Sequence, residues 1–263
     1  TMALQEDPNY ALAYAGLADC YMTGSGRYLD LPGAQAIQKG MAVAMKALEI
    51  DEALVEAHAS IAGSLSGLFD WEASEKEFRR AIELNPNYAT ARHWYAEALW
   101  SMGRHEEAIA QAKRAKELDP LSLIVNTALG VALYFAGRYI ESIEQYNYTL
   151  ELDPNFQLAH YYLGFAYLQQ SKFEEAIEEL KEAYELMDGP ENLAALGYAY
   201  ALTGKKSEAE KILVELNDLS NSTYVSFLDI AMIYAGLEKK GLALEWLEKA
   251  VREKSARVKF LKV

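Results

Sequence analysis

The sequence predicts an all-α chain built as a solenoid of helix hairpins, and three observations carry that prediction. First, Asp51, Asn85, Asp119 and Asp153 stand 34 residues apart, each directly after an Ile or Leu at a charged or polar helix end. Second, three of them are followed by Pro86, Pro120 and Pro154, and most of the 6 prolines punctuate the repeats in this way. Third, each period holds two amphipathic stretches with a short breaker between them. A fixed period of this length marks stacked supersecondary units rather than one closed core. A solenoid grows by addition, so one domain over residues 1–263 accounts for the whole chain.

The segment from Ala89 to Pro120 serves as the template. Its first helix is expected from Ala89 to about Met102, where Gly103 suits the left-handed conformation that ends helices. Its second is expected from about Glu106 to Leu118, stopped by Asp119-Pro120 because proline cannot continue a helix and restricts the residue before it. Ala96, Ala108 and Ala115 stand where the helices approach, and Tyr95, Leu99, Ile109 and Leu118 fill the space between.

The other hairpins repeat this scheme. Residues 55–86 carry Ile61-Ala62, Leu65, Trp71, Phe78, Ala81 and Leu84. Residues 123–154 carry Leu129-Gly130, Leu133, Gly137, Tyr139, Ile143, Tyr146 and Leu152. Residues 157–188 carry Leu163-Gly164, Tyr167, Phe173, Ala176, Leu180, Ala183 and Leu186. Residues 190–219 carry Leu196-Gly197, Tyr200, Gly204, Ala209 and Leu213, and residues 224–251 carry Ile230-Ala231, Tyr234, Ala243, Leu247 and Ala250. The first hairpin, 11–51, is about ten residues too long, with Gly24, Gly26, Pro32 and Gly33 in an insertion at 23–33. Loops of this length are functional or simply tolerated, and both readings stay open. Residues 252–263 form a basic extension with Arg252, Lys254, Arg257, Lys259 and Lys262. The opening Thr1 to Pro8 reads as the end of a helix, so the chain is expected to begin inside a repeat of something longer.

Composition narrows the function. The formal net charge is −14, which argues against binding DNA, RNA or an anionic membrane, because such binding needs Lys and Arg to displace counterions. Cys20 is the single cysteine, so no disulfide can form within the chain and a reducing, cytoplasmic setting is expected. No apolar run reaches the roughly 18 residues of a membrane span.

No catalytic constellation emerges. Phosphate-cradling Gly-rich loops are missing, and Gly24-Ser25-Gly26 is a turn element in a helical chain. His58, His93, His105 and His160 form no metal-ligand spacing, and Cys20 has no second cysteine to share a metal. The pairs Glu106-Glu107, Glu174-Glu175 and Glu178-Glu179 read as solvated helix faces beside Lys113, Lys116, Lys172 and Lys181. Neither a catalytic residue, a metal nor a cofactor is expected.

These repeats resemble the tetratricopeptide (TPR) repeat, whose pattern is W-x2-L-G-x2-Y, then A-x3-F, then A and P. The resemblance covers nearly the whole chain and implies a right-handed αα-superhelical solenoid of about seven hairpins, with the first helix of each lining a concave face. It assigns five positions per repeat to that face. These supply a candidate partner-binding groove of His93, Glu97, Trp100, Thr127, Val131, Tyr134, Phe135, Tyr161, Phe165 and Tyr198. The carboxylate clamp of chaperone-binding TPR domains needs Lys in such a position. The fifth positions here are Ala15, Ala59, His93, Thr127, Tyr161, Ala194 and Leu228, so that role is disfavoured.

What remains is an aromatic and aliphatic trough suited to a peptide or amphipathic helix of a partner protein. The alternative occupants are the chain's own flanking region and a second copy of itself. The opening Asp7-Pro8-Asn9-Tyr10-Ala11-Leu12-Ala13-Tyr14, with Tyr88-Ala89-Thr90-Ala91-Arg92-His93-Trp94-Tyr95, also looks like TPR regions of multidomain bacterial proteins. In those a transcription-regulator, cyclase or kinase domain precedes the repeats. The sequence therefore supports an interaction scaffold and, as its alternative, a sensory or regulatory module of such a larger protein.

Overall fold

The computed structural model describes residues 2–23 and 33–252. The insertion expected at 23–33 and the basic extension after Arg252 fall almost wholly outside them. Among the described residues every regular element is a helix. In chain order they are α1 (Met2–Glu6), α2 (Ala11–Thr23), α3 (Gly33–Ile50), α4 (Val55–Gly67), α5 (Trp71–Leu84), α6 (Ala89–Ser101), α7 (His105–Leu118) and α8 (Leu123–Phe135). They continue with α9 (Tyr139–Leu152), α10 (Gln157–Gln169), α11 (Phe173–Leu186), α12 (Pro190–Leu202), α13 (Lys206–Leu219), α14 (Phe227–Gly236) and α15 (Lys240–Arg252). The fold is all-α, with neighbouring helices paired as hairpins.

Contacts divide the chain into two compact units, with the boundary between Ala128 and Leu129. In the first unit α2 pairs with α3, α4 with α5 and α6 with α7, and α4 also touches α2 and α6. In the second, α10 pairs with α11 and also packs on α9, while α12 pairs with α13 and α14 with α15. The first helix of each pair is the inner helix below, and the second is the outer helix.

The 34-residue signature has a direct physical cause. The side-chain Oδ1 of Asp51, Asn85 and Asp153 accepts from the amides of Ala53, Asn87 and Asn155 at 3.0, 3.0 and 2.9 Å. An Asx side chain thereby supplies a local backbone bond just where the outer helix ends. The turn inside each hairpin needs one residue at positive φ. Gly103, Gly137 and Gly204 meet this with φ of 79°, 73° and 76°. Phe69, Ser171 and Glu238 occupy the equivalent positions with φ of 64°, 56° and 60°. The following amide then bonds back five residues, as in Arg104 N to Leu99 O at 2.9 Å and Lys172 N to Tyr167 O at 3.0 Å.

A side chain in that conformation is strained by about 1 kcal/mol relative to glycine. Ser171→Gly is therefore expected to raise stability by about 0.5–1 kcal/mol, read as a shift in the urea midpoint. Unchanged or lowered stability would show that Ser171 is not strained.

Small residues set the helix spacing. Ala81, Ala108, Ala115 and Ala183 are fully buried. Gly164 admits the outer helix so closely that an added Cβ would sit 2.5 Å from Leu180 Cγ and 3.2 Å from the Ala176 carbonyl. The aromatic and aliphatic layer around them, Phe78, Leu99, Tyr146, Leu163, Leu180 and Leu216, is also fully buried.

Candidate partner-binding site

Each unit places part of the candidate groove. In the second unit the inner helices α10 and α12 bring Phe165 and Tyr198 into parallel stacking, with centroids 6.3 Å apart and 23° between planes. Both rings stay half-buried. Tyr134 and Phe135, at the end of α8, are also half-buried and meet edge to face at 5.2 Å. Gln169 Nε2 donates to Tyr134 Oη at 3.3 Å, and burial pushes the Tyr134 phenol up to about 12. Leu202 adds an exposed aliphatic side chain at the end of α12.

Val131 and Tyr161 lie deeper, only 7% and 6% exposed. Tyr161 packs against Tyr162 at 5.2 Å and Phe165 at 5.1 Å. The surface open to a ligand in this unit is thus carried by Tyr134, Phe135, Phe165 and Tyr198, with Tyr161 and Val131 supporting them from beneath.

The first unit is different in character. Trp100 and Thr127 are 2% and 1% exposed, so neither offers much surface. His93 and Glu97 are half-buried on α6. Burial pulls the His93 imidazole below its usual value, against the raising effect of Glu97. On α2, Asp19 is raised by burial while the Ser60 hydroxyl, 2.5 Å from its Oδ1, works in the opposite direction.

The strongest electrostatic cluster of the first unit escapes the sequence reading. Glu75 accepts from Arg104 Nη1 at 2.7 Å, Arg79 Nη2 at 2.7 Å and the Tyr95 hydroxyl at 2.8 Å. Arg104 first, then Arg79, hold its carboxyl down to about 2 against the cost of burial. Arg104 also forks onto Glu107 through Nε and Nη2 at 2.7 and 2.6 Å. A signal for Glu75 exists: Ile109, Ile143 and Ile177 follow it at 34-residue intervals, so an acid stands at a position otherwise apolar. A carboxyl held so low is a poor proton carrier near neutrality, and the cluster ties α5 to α6 and α7 rather than offering acid–base chemistry.

No group of three or more His, Cys, Asp or Glu among the described residues is placed to hold a metal ion. No helix among them is long and apolar enough to cross a membrane. Cys20 is free and exposed.

Comparison with known proteins agrees with the architecture. Family models described as tetratricopeptide repeat match residues 64–122, 127–192 and 225–256. A search of curated proteins gives no match. Among solved structures, the pilF protein of Pseudomonas aeruginosa is 17% identical, covering 88% of this chain and 97% of its own, with a TM-score of 0.61. PilW, a type IV pilus biogenesis factor, is 18% identical over 86% of this chain and 98% of its own, with a TM-score of 0.65. A thermophilic TPR protein of Thermus thermophilus is 21% identical over 72% of this chain and 98% of its own, with a TM-score of 0.60. At these identities the likeness is one of fold. With repeat signatures matched over more than half its length and hairpins packed as described, the chain belongs to the tetratricopeptide repeat family.

Proposed function

We propose that the protein is a non-catalytic interaction scaffold, and that the inner aromatic surface of its second unit receives a peptide or amphipathic helix of a partner protein. The observation that carries this reading is the run of half-buried rings: Tyr134, Phe135, Phe165 and Tyr198 on α8, α10 and α12. Large rings with an apolar body and a polar tip give much contact area at low entropic cost. They are already ordered by stacking, so little freedom is lost when a ligand covers them. The ligand is expected to present apolar anchors at helical spacing. The inner face of the first unit offers His93 and Glu97 as polar contacts of its own. A cytoplasmic setting suits the free, exposed thiol of Cys20.

The test is a selection of helical peptides by display on the full chain, followed by titration of the winners. A Tyr134→Ala/Phe165→Ala/Tyr198→Ala variant is expected to bind at least about tenfold more weakly while keeping its helical circular dichroism. Equal affinity in a folded variant would place the peptide elsewhere.

A further inference from the structure

One position is used in the same way in four successive repeats. His58 Nε2 faces the Glu52 carbonyl at 3.1 Å, Arg92 Nε donates to the Pro86 carbonyl at 3.1 Å, Asn126 Nδ2 donates to the Pro120 carbonyl at 2.8 Å, and His160 Nε2 faces the Pro154 carbonyl at 2.8 Å. In each case the acceptor lies six residues back, in the loop that enters the hairpin. Three of these side chains also reach a residue 19 further on, in the outer helix. His58 Nδ1 meets Glu77 Oε2 at 2.6 Å, Arg92 Nη1 meets Gln111 Oε1 at 2.9 Å, and His160 Nδ1 meets Glu179 Oε2 at 2.6 Å. One side chain thus ties loop, inner helix and outer helix together.

The ties differ in chemistry. Arg92 and Asn126 carry permanent donors. A neutral imidazole carries a single N–H, yet each of these histidines faces two atoms that accept: an ionised carboxylate oxygen and a backbone carbonyl. Only the imidazolium, with two N–H groups, serves both.

We infer that His160 is a proton-operated staple: uptake of a proton on its ring completes the tie that Arg92 holds at every pH in its own repeat, and the hairpin of α10 and α11 loosens as the pH rises.

The surroundings fit this assignment. The charged groups acting on His160 are Glu179 and Glu182, both from α11. From α9, Tyr146 stacks on Tyr162 and Asn147 bonds Tyr167. Burial lowers the His160 imidazole, but Glu179 and the Pro154 carbonyl outweigh it and the net shift is upward. For a group raised on folding, the stabilisation is full below the unfolded value of about 6.5 and is lost as the pH climbs through the folded value. The window between about pH 6 and pH 8 lies above the free carboxyl range, and the other groups that titrate in it are common to protein and variant. His93, lowered on folding, contributes the opposite sign, and it cancels when protein and variant are compared.

The test compares the full chain with a His160→Arg variant, which installs the side chain of Arg92 at that position. In the parent, the amides of residues 156–160 should exchange at least about threefold faster relative to intrinsic rates at pH 8 than at pH 6. The variant should lose that difference. The imidazole signal of His160 should titrate above 6.5 and show two N–H groups at pH 6. An unchanged pH dependence in the folded variant overturns the inference. So does a single-tautomer, neutral His160 at pH 6 in the parent, which needs no variant to fold.

Discussion

Phe78→Ala is expected to remove about 3–5 kcal/mol from the first unit, the usual cost of emptying a fully buried aromatic site. Phe78 is fully buried at the middle of α5. Its ring stacks on Tyr95 of α6, with centroids 5.3 Å apart and planes 24° from parallel. Tyr95 in turn donates to Glu75, so the Phe78 ring backs the ion cluster as well as the core. Truncation would open a void on one side of Tyr95 and leave the α5–α6 seam, which has no other fully buried aromatic ring among the described residues, poorly filled. In a solenoid each repeat is stabilised by its neighbours, so this seam, with the contact of α4 on α6, couples hairpins 55–86 and 89–120. Urea denaturation followed by circular dichroism gives the value. A loss below about 1 kcal/mol would mean that the seam can collapse around the missing ring.

Gly130→Leu is the second large effect, placed in the second unit. Any Cβ at position 130 would overlap the Tyr146 ring. Tyr146 has nowhere to retreat, because it is fully buried and stacks on Tyr162 at 6.1 Å with 15° between planes. The Gly130 carbonyl also accepts from Ser142 Oγ at 2.9 Å, which pins α8 to α9 at this crossing. Overpacking of this kind costs about 1–3 kcal/mol, and a leucine against an immobile ring belongs at the upper end. Thermal denaturation should show the loss. An unchanged midpoint would show that α8 and α9 do not cross at Gly130.

Much of this architecture is legible in the residues because backbone chemistry forces it. The Asx turn at Asp51, Asn85 and Asp153 demands its residue type, and so the period shows. Gly130, Gly164 and Gly197 stand where outer helices press on inner ones, and no side chain fits there. The hairpin turns are only half legible. Gly103, Gly137 and Gly204 mark three of them, while Phe69, Ser171 and Glu238 adopt the same conformation without announcing it.

The candidate site is less legible still. The resemblance to the TPR pattern places Trp100, Thr127, Val131 and Tyr161 beside Tyr134, Phe165 and Tyr198, yet it does not tell how far each is covered. Coverage depends on neighbouring rings, and it leaves Trp100 2% exposed while Phe165 remains half open. The ties from His58 and His160 to the outer helix needed a pairing rule, a glutamate 19 residues on, that helix periodicity alone does not supply. Glu75 is similar: its role follows from Arg104, 29 residues away, and not from its own helix.

The most direct measurement is an NMR map of the full chain bound to a display-selected peptide, with ring protons of the tyrosines and phenylalanines assigned. Shifts concentrated at Tyr134, Phe135, Phe165 and Tyr198 are the result expected of a partner lying on the inner helices. Shifts confined to outer-helix residues such as Ile140, Glu178 and Val214, with the four rings unmoved, would contradict a peptide-receiving inner face.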